Sequence, residues 1–244
     1  LGIAIEHRLG WRVTFGAITG IAVLALIALI QLFPDLPSTA RSRLRDEVKG
    51  LFELPLLLSL GLSMVTSTSL FCLLTYVEAY LQNVTAVPAS AIMSFLLVFG
   101  LGSTLGSTLG GHFGDRALLR TILIAIVGAG ATQLLFNAAG QSMYVAVLVI
   151  FVWGVFSFAL VPMLQTLVAD HSPRAPTLAS TLNHSAFNLG NALGAIIGAT
   201  ILSQTDNYRA LPWAGLGVAA LALGITLAFY RRLSVVPPVE ALAS

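Results

Sequence analysis

Hydrophobic residues in this chain gather into seven runs: Val13–Phe33, Pro55–Leu74, Ile92–Gly111, Thr121–Ala139, Met143–Leu164, Thr177–Leu202 and Leu211–Tyr230. About 20 apolar residues in a helix cross a hydrocarbon core roughly 30 Å thick. Backbone groups find no water there, so each run must satisfy its own hydrogen bonds as a helix. The pattern therefore predicts an all-α, polytopic transmembrane bundle of about seven spans. The second to seventh runs follow one another closely. The first is set off by the polar stretch Pro34–Glu53, which holds the run Arg41-Ser-Arg-Leu-Arg-Asp-Glu47. The expected division is 1–33 as an outer loop and one helix, 34–54 as a basic linker, 55–232 as a six-helix unit and 233–244 as a tail. Within the linker, Leu44, Val48, Leu51 and Phe52 recur at helical spacing, so it reads as an amphipathic surface helix or as a solvated charged segment.

Composition sharpens the membrane reading. Apolar residues make up 57% of the 244 residues and charged ones 9%, against about 25% charged in soluble domains; mean hydropathy is +0.92. The positions of the charges then orient the bundle, because Lys and Arg accumulate in cytoplasmic loops. Arg41, Arg43, Arg45, Lys49, Arg116, Arg120, Arg174, Arg231 and Arg232 fall on one side, nine of the twelve basic residues. Arg8, Arg12 and Arg209 fall on the other. The C-terminus is expected inside and Leu1 outside.

Several classes are disfavoured. A net charge of +2 is too small to suggest nucleic-acid binding. Cys72 is the only cysteine, so an intrachain disulfide or thiolate metal site is excluded. The four histidines, His7, His112, His171 and His184, are too scattered to suggest a metal centre, and no hydrolase, zincin or P-loop signature is present. No enzyme and no cofactor is expected. A retinal protein needs a lysine late in the bundle, and the only lysine is Lys49. Asn83-Val-Thr85 matches a glycosylation triplet, a pattern that also arises by chance.

Two runs carry glycine at every fourth position: Gly102, Gly106, Gly110 and Gly114 in the third, Gly190, Gly194 and Gly198 in the sixth. Such faces admit another helix backbone at close range. They imply tight packing either inside the six-helix unit or along a seam against another bundle. The sixth run is also the most polar, with Asn183, His184, Ser185, Asn188 and Asn191 at hydrocarbon depth. His184, Asn188 and Asn191 share a helical face. Buried amides are costly unless partnered, so interhelical hydrogen bonds or a wet, ligand-binding cavity are the two readings. The cavity reading also takes Tyr76 and Gln165. His184 is a candidate for proton handling, since histidine changes charge near neutral pH. Glu78 falls beyond the second run and reads as a solvated interfacial carboxylate or a coupling group. Gln133 and Asn137 read as interfacial.

At the inner end of the third run, Gly111-His-Phe-Gly-Asp115-Arg116, with Arg120 beyond, resembles the loop motif of the major facilitator superfamily. Leu118 and Thr121 depart from that motif, which has glycine and arginine there. Gly10-Trp-Arg-Val-Thr-Phe15 and Thr75-Tyr-Val-Glu-Ala-Tyr-Leu-Gln82 resemble the drug:proton antiporter branch. The stretch Ala175–Gly194 resembles the eleventh helix of arabinose-efflux and chloramphenicol-resistance transporters of that branch. The resemblance implies helices six to twelve of a twelve-helix protein, entered partway along. It further implies a missing N-terminal six-helix half as partner, a gate at Gly111, Asp115, Arg116 and Arg120, and efflux of a small drug-like molecule or sugar against a proton gradient in a bacterial inner membrane. A uniporter or importer of the same fold, and a non-transporting scaffold or sensor, are the alternatives.

Overall fold

The computed structural model describes residues 11–32, 50–139, 142–173 and 175–233. The chain forms two compact units, residues 1–42 and 43–244. The boundary falls inside the polar stretch after the first hydrophobic run. The proposed amphipathic segment lies mostly outside the described residues, as do Arg174 and the tail from residue 234.

The first unit contains one described helix, α1 (Trp11–Leu32), with no acidic residue in its first turn and no basic residue in its last. From Phe15 to Leu32 it is long and apolar enough to cross a membrane.

The second unit consists of α2 (Leu54–Leu74), α3 (Val77–Asn83), α4 (Ala89–Ala139), α5 (Met143–Asp170), α6 (Pro176–Thr205), α7 (Ala210–Ala228) and the single turn α8 (Tyr230–Leu233). Proline at the first turn starts α2 and α6, where its missing N–H costs nothing. Asp206 in the left-handed conformation ends α6, its N–H returning to the Leu202 carbonyl. Among the described residues, six helical stretches are long and apolar enough to cross a membrane.

Seven runs become six because α4 joins the third and fourth. It cannot be one straight rod. Its 51 residues at about 1.5 Å each would far exceed a bilayer core of roughly 30 Å. The break is at Ala117, whose backbone (φ −156°, ψ 66°) is not helical. The two limbs fold back on each other there. Phe99 before the break and Phe136 after it both pack on Trp153, at ring-centroid distances of 5.2 and 5.3 Å. Gly106 and Gly128 likewise meet neighbouring α5 residues, Val155 and Phe156. Each pair is nearly equidistant in sequence from Ala117, as an antiparallel hairpin demands. The motif Gly111–Arg116, expected as a loop, is thus helical up to the break. Thr121, one of the departures from the family motif, ties the limbs together: its hydroxyl donates to the carbonyls of Phe113 (3.2 Å) and Ala117 (3.0 Å). Helices α5 and α6 also run a few residues past the predicted spans, to Asp170 and Thr205.

The core divides along the bundle. Tyr80, Phe95, Phe136 and Trp153 fill one cluster; Leu62, Ile122, Leu160 and Leu164 fill another. Pro162 interrupts α5 and removes the N–H that the Phe158 carbonyl would otherwise receive. A long 3.4 Å bond from the Ser107 hydroxyl of α4 reaches that carbonyl instead.

Both glycine stripes pack inside this unit. A β-carbon on Gly102, Gly106 or Gly110 would overlap the carbonyl oxygen of Phe151, Val155 or Ala159 on α5. One on Gly190 would overlap the Met64 carbonyl of α2, one on Gly194 would lie 2.6 Å from the Thr68 carbonyl, and one on Gly198 would overlap the Tyr76 ring. Contacts advance four residues on both helices at once, so the first limb of α4 runs parallel to α5, and α6 parallel to α2. Of the two readings open for these glycines, packing inside the six-helix unit is the one observed, and the seam against another bundle is not. Close backbone approach is what glycine permits, and here the approaching backbones belong to the same unit.

Candidate functional site

Helix α2 is the hub of the unit, packing on α6 and α7 and also on α5. Most of its hydroxyls stay with their own helix: Ser59, Ser63, Thr66 and Thr68 donate to the carbonyl four residues back, the usual outlet for Ser and Thr in apolar helices. Two reach across. Ser67 donates to the Asn191 side-chain oxygen of α6. Ser69 donates to the Gly215 carbonyl of α7 at 2.7 Å and accepts from Gln133 Nε2 of α4 at 3.1 Å. Gln133 is therefore a buried core residue, 1% exposed, and the interfacial expectation for it is corrected. Gly215 makes room for it, since a β-carbon there would overlap Gln133 Oε1.

Beside this junction lies a cavity of about 280 Å³. Leu70, Phe71, Ile126, Phe158 and Phe187 give it apolar walls. Ser67, Ser69, Gln133 and Ser157 add polar groups, and His184 and Asn191 bring α6 to its edge. No Asp, Glu, Lys or Arg lines it.

The six residues named from sequence as cavity-forming separate. His184 and Asn191 line this cavity; Tyr76, Gln165, Asn183 and Asn188 do not. Tyr76 sits between α2 and α3, and its hydroxyl donates to the Ala195 carbonyl at 2.8 Å. Asn183 points the other way from His184: it is 0% exposed, and neither end of its amide has a hydrogen-bond partner. Asn188 is exposed, as are Thr181, His184 and Ser185. Together they form a polar strip opposite the glycine face of α6. Gln165 is half-buried on α5. Gln133, Ser69 and Ser157 were missed. An isolated amide or hydroxyl such as Gln133 or Ser157 carries no periodic signal that says which neighbour it will meet, and the hydroxyl run Thr66–Ser69 does not say which member will leave its own helix.

Asp115, Arg116 and Arg120 cluster in sequence around the break in α4, and all three are exposed. Gly111, one turn earlier, has open space where its side chain would be, unlike the glycines packed on α5. Glu78 is exposed on α3 and accepts from Gln82 Nε2 at 3.2 Å. Among the described residues no cluster of His, Cys, Asp or Glu could hold a metal ion.

Apolar helices of membrane length, a hairpin break carrying the Gly-x-x-x-Asp-Arg sequence and polar residues at hydrocarbon depth define a multi-pass membrane protein. The profile of the Major Facilitator Superfamily matches residues 1–175 and, in a second overlapping match, 59–243. The chain belongs to that superfamily. It is 32% identical over 228 residues to the "Inner membrane transport protein YdhP" of Escherichia coli K12, a match covering 93% of this chain and 59% of the relative. It is 29% identical over 238 residues to the "Uncharacterized MFS-type transporter YfhI" of Bacillus subtilis, covering 96% of this chain and 59% of that one. Its identity to a "Probable sugar efflux transporter" of Pasteurella multocida is 31% over 224 residues, 91% of this chain and 54% of that relative. The chain thus spans less than two thirds of the length of these relatives.

Proposed function

We propose that this chain supplies one half of an alternating-access efflux transporter of a bacterial inner membrane, exporting a small drug-like molecule or sugar in exchange for protons. The polar strip on α6 carries this reading. His184, Ser185 and Asn188 are exposed on a helix of membrane length. Ser185 already donates to the Thr181 carbonyl at 3.2 Å, but His184 and Asn188, facing lipid, would be left without partners at considerable cost; facing a water-filled path, they are solvated. The relatives' names, an inner-membrane transport protein and a probable sugar efflux transporter, point to the same activity.

In this arrangement a second six-helix half closes the path opposite α6, and the two rock about a site between them. Asp115, Arg116 and Arg120 form the cytoplasmic gate, and the open space at Gly111 admits a helix of the other half. His184 is the proton-handling candidate on the strip, with Glu78 a second at the far end of the α2–α3 segment. The basic loops face the cytoplasm, so the C-terminus lies inside.

The test is efflux from vesicles containing the intact gene product, loaded with a fluorescent substrate or labelled sugar, with and without a pH gradient. Export that stops when a protonophore collapses the gradient supports antiport. Flux indifferent to the gradient would indicate a uniporter, and no flux for any cargo would favour a scaffold or sensor.

A further inference from the structure

We propose that the cavity lined by α2, the second limb of α4, α5, α6 and α7 is itself a binding site, for a small neutral molecule with an apolar body and one hydroxyl-like polar group. It is distinct from the polar strip of α6, touching it only at His184. Occupancy requires neither antiport nor a particular direction of transport.

Ser157 carries the inference. It lies on the cavity wall, is 6% exposed, and makes no hydrogen bond among the described residues. The other hydroxyls lining the cavity are all engaged: Thr66 with the Leu62 carbonyl, Ser67 with Asn191, Ser69 with the Gly215 carbonyl. A serine in an apolar helix ordinarily donates to the carbonyl four residues back. Ser157 does not, and buried polar groups rarely go without a partner. A ligand hydroxyl or carbonyl would supply it.

The remaining walls set the ligand's other properties. Leu70, Phe71, Phe158 and Phe187 call for an apolar, preferably aromatic, body. With no charged side chain of fixed sign on the lining, a buried ion would lack a counter-charge. A volume of about 280 Å³ is at the small end for ligand pockets, which suits a single substituted ring.

The experiment compares two probes of equal size, para-propylphenol and para-propyltoluene, binding to the intact protein in lipid nanodiscs. Calorimetric signals from empty nanodiscs are subtracted to remove partition into lipid. Saturable one-to-one binding of the phenol is expected, with the toluene about tenfold weaker. Ser157→Ala should bring the two within about twofold of each other. Ala129→Phe, which fills the cavity, should abolish saturable binding of both. Should Ala129→Phe fail to fold, Ser157→Ala decides alone, since it removes one oxygen and alters no packing volume appreciably. Equal affinity of the two probes, absence of saturable binding, or an undiminished preference for the phenol in Ser157→Ala would each overturn the proposal. None of these outcomes depends on whether the protein exports anything.

Discussion

Gly106 of α4 sits so close to Val155 of α5 that a β-carbon on the glycine would overlap the valine carbonyl oxygen. The obstacle is backbone, which has no alternative rotamer to adopt. Even Gly106→Ala should therefore force the helices apart, destabilising the protein by upwards of about 2 kcal/mol. Gly100→Ala, six residues away on the same limb with nothing within 4 Å, should be neutral or slightly stabilising, since alanine favours helix by about 1 kcal/mol over glycine. Thermal unfolding in detergent measures both, and equal effects would refute the tight crossing.

The second crossing has a built-in reporter. Cys72 is the only cysteine and is 0% exposed, and a β-carbon on Gly194 would lie 2.9 Å from its backbone nitrogen. In the native protein a membrane-permeant maleimide should leave it unmodified. Gly194→Leu should raise its labelling rate at least about tenfold by prising α6 from α2. Mass spectrometry after timed exposure reads the difference; unchanged labelling would mean that the helices accommodate the leucine.

Gly215 and Gln133 should behave as a coupled pair. Gly215→Ala drives a methyl into Gln133 Oε1 and should cost about 1–3 kcal/mol. With Gln133→Ala already in place, the same substitution should cost much less. A double-mutant cycle with no coupling would show that α7 shifts freely.

Ala86 is held at φ 56°, a left-handed conformation that costs an L-residue roughly 1–2 kcal/mol. Ala86→Gly should relieve more strain than it adds in unfolded-chain entropy. A rise in melting temperature is expected, and a fall would place the penalty elsewhere.

His184→Ala should shift the pH dependence of efflux or its substrate range, while Asn183→Leu, at the opposite side of α6, should leave both unchanged. Vesicle assays across a pH series distinguish them. If His184→Ala changes neither property, the imidazole has no part in proton handling.

What could be read from sequence followed from periodicity. Apolar runs of membrane length announced the spans, and the start of α2 near Pro55 and of α5 at Met143 needed only their flanking residues. The Gly-x-x-x-Asp-Arg motif marked the hairpin between the third and fourth runs. The helical break itself is a tertiary matter: Ala117 has no conformational peculiarity of its own, and the return of the second limb onto Trp153 fixes it. Four-residue glycine spacing showed that a backbone would come close, yet said nothing of whose backbone. Similarly, His184 and Asn183 are neighbours in sequence, and their opposite fates depend on which side of α6 meets α2. Ser157 gave no signal at all, because its interest arises from the bond it does not make.

The two parallel glycine pairings also reveal how the six-helix unit is interlocked. Counting the limbs of α4 separately, α2 and the two limbs make one set of three helices, and α5, α6 and α7 make another. In each set the middle helix bears the glycines, and it packs on the first helix of the other set: the first limb of α4 on α5, α6 on α2. Exchanging the sets leaves the scheme unchanged, as in a handshake in which each hand holds the other's wrist. Neither set can bury its glycine face alone. A chain severed between α4 and α5 would consequently yield two pieces that are insoluble partners in isolation and complementary when synthesised together.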